Sequence, residues 1–186
     1  GTDAIVSTYF GNAQDPMFSK DANGNPGCFM HRQASFIPSF WPEAAQAGVG
    51  VETTVFPFPV IDESLPKAAL GAGDMWGAFN DRDATKAVAE YMLSAEFHAA
   101  AAAMPNNARL SAHTGFDTSL YSKDINRILG TIIADALAAD AFRFDASDLM
   151  PPEVGAGSFW KEMMNLAVEG PGYIDTALAN IDTSWP

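Results

Sequence analysis

Apolar and polar positions follow two regimes along the chain, and the change falls near residue 83. Beyond it, apolar residues recur at helical spacing. Ile125, Ile128, Leu129, Ile132, Ile133, Ala136 and Leu137 lie three and four apart, which predicts a helix from about Asp124 to Ala139. Val88, Tyr91, Met92 and Ala95 predict an earlier helix that starts near Ala84, capped by Asp83 and ended by Met104-Pro105-Asn106-Asn107. A third helix starts near Ser158, carries Phe159, Met163, Met164, Leu166, Ala167 and Val168, and breaks at Gly170-Pro171-Gly172. A last one runs from Ile174 to Ile181.

Before residue 83 there is no such period. Ile5 to Phe10 and Cys28 to Ile37 predict strand or strand-to-helix segments. Val49 to Phe58 is a further β-branched stretch, with Val51, Thr53, Thr54 and Val55, stopped by Pro57 and Pro59. Asp21-Ala22-Asn23-Gly24-Asn25-Pro26-Gly27 is turn chemistry, because Asn and Gly tolerate positive φ and Pro fixes its own. Leu70 to Phe79 is small, apolar and Gly-rich, with one carboxylate, Asp74, inside it. Strands with turns followed by helices predict an α/β layered architecture with a helix-rich C-terminal section.

Composition narrows the classes. With 48% apolar and 18% charged residues in 186, the chain can fill one ordinary domain or parts of two lobes. A net charge of −13 without any Lys/Arg cluster repels a phosphate backbone, so nucleic acid is not an expected partner. No apolar run approaches the roughly 20 residues that cross a bilayer, so a soluble chain is expected. The single cysteine excludes an intrachain disulfide. Cys28 and His31 have a C-x-x-H spacing, but a structural zinc site needs four ligands, and His98 and His113 are scattered. No metal is expected. The first residues show neither an initiator Met nor a leader, so a processed chain or a piece of a longer one is expected.

Enzyme signatures are missing from the sequence. There is no G-x-S-x-G elbow, no phosphate loop and no H-E-x-x-H, and Gly71-Ala72-Gly73 lacks the third glycine of a dinucleotide fingerprint. What stands out is aromatics beside polar groups at element boundaries. Gln33, Ser35 and Phe36 sit together, Asp74 adjoins Met75 and Trp76, and Phe159-Trp160 follows Gly155-Ala156-Gly157. Sugars need this mixture, since their C–H faces stack on flat rings while their hydroxyls require donors and acceptors. Each aromatic taken singly also suits a core.

The stretch Phe144-Asp145-Ala146-Ser147-Asp148-Leu149-Met150-Pro151-Pro152-Glu153-Val154-Gly155-Ala156-Gly157-Ser158-Phe159-Trp160 resembles a D-x-S-D-L-M-P-x-x-V-G-x-G-x-F-W segment of α-glucoside-type solute-binding proteins. These are family 1 extracellular binding proteins of carbohydrate ABC importers. Cys28 to Ile37 resembles their post-turn strand, Leu70 to Met75 their glycine-rich segment, and Ile181-Asp182-Thr183-Ser184-Trp185-Pro186 their usual end. The likeness runs in order along nearly the whole chain.

The resemblance implies a two-lobed type II periplasmic-binding-protein fold, here only its C-terminal portion, closing on a sugar outside the cytoplasmic membrane. By that analogy residues 1–60 and 118–186 belong to the C-terminal lobe and 68–115 return to the N-terminal lobe. Pro57, Pro59 and Pro66 suit the first crossing, and residues 105–115 approach the second. Carried over by position, Trp160 stacks on the sugar with Phe159 beside it. Gln33 and Phe36 line the cleft, Asp74 and Arg109 bind hydroxyls, and Met150 packs at the wall. No cofactor is implied. The implied partners are a sugar, the permease subunits and the N-terminal portion of the same protein, and the isolated piece is expected to self-associate. Two rivals stay open: a carbohydrate-active enzyme fragment, which shares aromatic-plus-carboxylate sites, and an interaction module outside transport.

Overall fold

A computed structural model describes residues 2–49, 52–64, 68–105 and 107–186. The chain divides into two compact units. One comprises Gly1–Ala13, Leu70–Ala72 and Arg143–Pro186, and the other Gln14–Ala69 and Gly73–Phe142.

The second unit is organised around a short apolar cluster. Ile37, Trp41, Ala45 and Ile125 are buried together, with Phe18, Val49, Val55 and Leu129 packed against them. Ile37 and Pro38 lie in a 3-10 turn (Ile37–Phe40), and Ala45 in helix α3 (Glu43–Ala47). Phe18 closes helix α2 (Asp15–Phe18) and meets the Trp41 ring at 5.6 Å between centroids. Each such side chain contributes roughly 1.5–3 kcal/mol by leaving water. Between α2 and the 3-10 turn, the Asp21 carboxylate accepts the N–H groups of Asn23 (2.8 Å) and Asn25 (2.9 Å). Gly24 takes φ +83°, and Lys20 and Pro26 bridge antiparallel, so the predicted turn is present.

The helical periods translate with one correction. The helix predicted from Asp124 forms as Asp124–Ala138 and buries Ile125, Asn126 and Gly130. The helix predicted from Ala84 to Met104 is two helices, Asp83–Met92 (α4) and Ala95–Ala103 (α5). Ser94 separates them. Its hydroxyl donates to the Tyr91 carbonyl (2.6 Å) and accepts the Phe97 N–H (3.1 Å), an N-cap that apolar spacing does not reveal. Asp83 lies within the first turn of α4 rather than at its cap, which Arg82 occupies. The Asp124–Ala138 helix is α6; it ends where Asp140 adopts φ +50° and the Ala141 N–H reaches the Ala136 carbonyl at 2.8 Å.

The first unit is built from helices α1 (Thr2–Ser7), α7 (Ala146–Leu149), α8 (Phe159–Glu169) and α9 (Ile174–Thr183). Asp145 caps α7, its carboxylate accepting both the N–H and the hydroxyl of Ser147 at 2.8 Å. One turn of π-helix (Glu153–Ser158) leads into α8. Gly155 is buried there against the Ser147 carbonyl, leaving no room for a Cβ. Gly170, at φ +85°, ends α8 as predicted. The Tyr173 hydroxyl donates to the buried Glu162 carboxylate at 2.8 Å and holds it below the usual carboxylate range.

The predicted strands do not form among the described residues. Ile5 to Ser7 are helical in α1, because Ala4 accepts the Thr8 N–H (3.0 Å) and the turn packs on α8. Residues 28–35 are irregular, and Ile37 begins the 3-10 turn. Val49 makes only an isolated bridge to Thr53, and Val51 and Pro66 lie outside the described residues. Among the described residues the strands are β1 (Ala69–Gly71) and β2 (Phe142–Phe144), paired in one sheet. The chain is helix-rich α/β rather than strand-led.

Candidate functional site

In the second unit a shallow cleft of about 10 Å3, room for a single water, is lined by polar side chains and one aromatic ring. Ser35, Phe36, Gln46, Asn107, Lys123 and Asn126 line it. The buried pair Ile37–Pro38 anchors the 3-10 turn and leaves Phe36, just before it, 40% exposed with its ring edge-on to Phe40. Gln46 projects from α3. Its Nε2 donates to the Trp41 carbonyl (2.9 Å), so its Oε1 is free to accept from the Lys123 ammonium (2.9 Å), 77 residues away in sequence.

Asn126, buried on the first turn of α6, donates its Nδ2 to the Asn107 carbonyl at 2.9 Å. That bond pins a loop of opposite polarity. Asn107 exchanges two hydrogen bonds with the Arg109 backbone, its Oδ1 accepting the N–H (3.0 Å) and its Nδ2 donating to the carbonyl (2.9 Å). Arg109 is thereby held with its guanidinium outward, where Nε pairs with the Asp74 carboxylate at 2.5 Å. Both side chains are largely exposed, so the pair contributes at most about 1 kcal/mol to stability. It sets guanidinium donors and a carboxylate acceptor side by side on the surface.

The sequence-predicted residues therefore separate. Asp74 and Arg109 meet directly, and Phe36 lines the cleft that Asn107 shares. Gln33 is exposed and turned back on its own backbone, its Oε1 accepting the Ala34 N–H at 2.8 Å. Phe159 and Trp160 open α8 in the other unit, rings edge-on at 6.0 Å, and Trp160 is 57% exposed. Met150 is half-buried there, after α7. Gln46, Asn107, Lys123 and Asn126 were not picked out by sequence reasoning. One signal was available: a lysine stands at the N-cap of α6, where Ser, Thr, Asp or Asn is favoured. Among the described residues no group of three His, Cys, Asp or Glu is placed to hold a metal ion. The Cys28 thiol donates to the Met30 carbonyl at 2.9 Å.

A second cavity of about 240 Å3 lies between α6 and residues 110–121, with Phe116, Tyr121, Ile133 and Leu137 in its walls. Beside it the Tyr121 hydroxyl accepts the Ser111 N–H (2.6 Å), and the Ser111 hydroxyl contacts His98 Nδ1 (2.9 Å). The His98 and His113 rings are 5.6 Å apart. Burial first, and the His113 charge second, push the His98 pKa below its ordinary value of 6.5. A folded-state pKa that is depressed means the unfolded chain takes up the proton first. This stabilisation is present above pH 6.5 and is lost as pH falls through the folded value. The thermal midpoint is expected to drop on going from pH 7 to about pH 5, and His98→Gln should flatten that part of the profile. An unchanged slope in His98→Gln would assign the acid sensitivity to other groups.

Two curated proteins are similar to the chain along its whole length. It is 33% identical over 186 residues to the osmoprotective compounds-binding protein GgtB of Synechocystis sp., covering all of this chain and 41% of that protein. It is 32% identical over 185 residues to the alpha-glucosides-binding periplasmic protein AglE of Rhizobium meliloti, covering all of this chain and 38% of that protein. The chain thus spans about two fifths of the length of these relatives, in their C-terminal portion. No protein-family model matches the chain, and no solved structure matches it.

Proposed function

We propose, for a chain homologous to the extracellular solute-binding proteins of ABC importers, that it is the part of such a protein that helps capture a glycoside or similar hydroxyl-rich solute outside the cytoplasmic membrane for delivery to permease subunits. The observation that carries this reading is the similarity, about one residue in three over 186 and 185 residues, to two proteins named for binding solutes. An α-glucoside follows the name of one relative and an osmoprotective compound that of the other. A periplasmic location follows the name of AglE.

The cleft chemistry supports the reading. Phe36 offers a partly exposed ring face, while the Gln46, Asn107 and Asn126 amides hold the cleft wall through bonds within the chain. Arg109 with Asp74 offers a charged pair. By the resemblance, Trp160 with Phe159 beside it is assigned as a stacking aromatic and Gln33 as a polar contact, each considered within its own unit. Residues 1–60 and 118–186 are assigned to one lobe and 68–115 to the other, with Pro57 and Pro59 at the first crossing.

Further chain of the same protein is the partner we assign to two exposed apolar segments. Phe56, Phe58 and Ile61 in one, and Met75, Trp76 and Phe79 in the other, are exposed at 46–97%. So many large apolar side chains open to water favour a cover, and a short form lacking it should self-associate.

Calorimetric titration of the full-length protein with α-glucosides, β-glucosides and neutral osmoprotectants tests the function. Saturable binding without product is expected. Turnover of a chromogenic glycoside, abolished by changing one carboxylate, would favour a glycoside-processing enzyme instead. Binding of neither class of solute would reject the reading.

A further inference from the structure

We infer that residues 111–116 form a proton-operated wall of the larger cavity, closed while His113 is neutral and loosened when its ring takes up a proton. The device lies within one unit and does not depend on which solute the protein binds.

The wall is stitched by hydrogen bonds that pass through one imidazole and two hydroxyls. The Ser111 N–H donates to the Tyr121 hydroxyl (2.6 Å), and Ser111 Oγ accepts the His113 N–H (3.1 Å). The Phe116 N–H returns to the His113 carbonyl (3.0 Å), and the Gly115 N–H donates to His113 Nδ1 (3.2 Å). Ser111, His113, Thr114 and Phe116 line the cavity of about 240 Å3 together with Ile133 and Leu137 of α6.

One of these bonds fixes a protonation state. A backbone N–H can only donate, so Nδ1 of His113 is the accepting nitrogen and the ring proton sits on Nε2. A second proton can add only at Nδ1. It turns the acceptor into a donor aimed at another donor, and the Gly115 bond is lost. The new charge also stands beside His98 of α5, whose ring centroid is 5.6 Å away. His98 meets no such conflict, because Ser111 Oγ, at 2.9 Å, can either donate to its Nδ1 or accept from it. His113 is therefore the ring whose protonation breaks a bond of the wall.

The groups around the wall leave the imidazoles to respond. The α6 residues on the cavity are Gly130, Ile133, Ala134, Leu137 and Ala138, none of them titratable. Burial pushes the Tyr121 phenol above its ordinary value of 10 and keeps it neutral. Asp117 follows the wall, and hydrogen bonds from the Ser119 hydroxyl and N–H hold its carboxyl below the usual range, so it stays ionised. Arg109, before the wall, is paired with Asp74. Imidazole is the side chain that ordinarily changes charge between about pH 5 and 8.

Hydrogen exchange of the full-length protein at about pH 7.5 and about pH 5 tests this, read by mass spectrometry over residues 110–120 and corrected for the intrinsic rate at each pH. Protection of this segment is expected to fall about tenfold in acid, while α8 keeps its own. His113→Asn is the informative variant, because an Asn Oδ1 accepts the N–H two residues on without titrating. It should keep the protection and abolish the fall. His98→Gln should leave part of the fall, since the Gly115 bond still breaks. No fall in the native protein overturns the inference, as does an equal fall in α8, which means that acid loosens the whole fold. A fall that survives in a His113→Asn protein with native circular dichroism overturns the role of His113. Imidazole nitrogen shifts of the native protein decide the point without any variant: the Nε2–H tautomer of His113 at neutral pH is expected, and the Nδ1–H tautomer overturns the inference.

Discussion

Replacing Trp160 by alanine in the full-length protein is expected to weaken glycoside binding by about 1–3 kcal/mol, roughly tenfold to a hundredfold. The argument is one of area and placement. Trp160 is the second residue of α8, so its backbone is fixed by helical bonds while its indole remains 57% exposed. Phe159 meets it edge-on at 6.0 Å. A large flat ring that is exposed but already oriented loses little side-chain freedom when a sugar face settles on it. Trp160→Phe keeps a smaller ring and should retain part of the affinity. Isothermal titration reads both variants. An affinity unchanged in Trp160→Ala removes the indole from the binding surface, whatever its exposure.

The second large effect concerns fold. Gly155→Ala is expected to cost about 3 kcal/mol or more, because the new Cβ has nowhere to go. It would overlap the Ser147 carbonyl oxygen and stand 3.1 Å from Met150 Cβ. The first obstacle is backbone, so no rotamer change relieves it. The strain falls on the link between α7 and the π-helical turn that leads into α8. Gly157→Ala is the control, since its Cβ would meet only the Pro152 carbonyl at an ordinary 3.6 Å. Thermal unfolding should show a sharply lower midpoint for Gly155→Ala and a shift within about 0.5 kcal/mol for Gly157→Ala. Equal, small shifts in the two variants would mean that the turn yields more readily than its packing implies.

Where local pattern and tertiary packing agree, the sequence could be read to within a residue or two. The helix from Asp124 needed only its 3,4 spacing, and Gly170 marked the end of α8 because a φ of +85° strongly favours glycine. The first third resisted for a definite reason. Ile5, Val6 and Val55 have strand-forming side chains, but no long sheet is present to receive them, and contact with α8 holds the first turn helical. The break at Ser94 was hidden because apolar periodicity continues across it, and a single hydroxyl decides it.

Of the residues that stand out by type, Asp74 and Arg109 are paired and Phe36 lines the cleft of one unit, while Phe159 and Trp160 lie in the other. Gln46, Asn107, Lys123 and Asn126 matter through hydrogen bonds that join segments up to 77 residues apart, and no spacing rule encodes these.

Trp41 has one more consequence, an optical one. Of the four tryptophans it alone is buried, at 8% exposure, while Trp76, Trp160 and Trp185 stand at 46–57%. The emission of these 186 residues alone is therefore the sum of one sheltered indole and three that a water-soluble quencher can reach. The sheltered fraction follows the integrity of the cluster around Ile37 and Ile125. One chromophore type thus reports the core and the exposed indoles as separable signals, without any label attached.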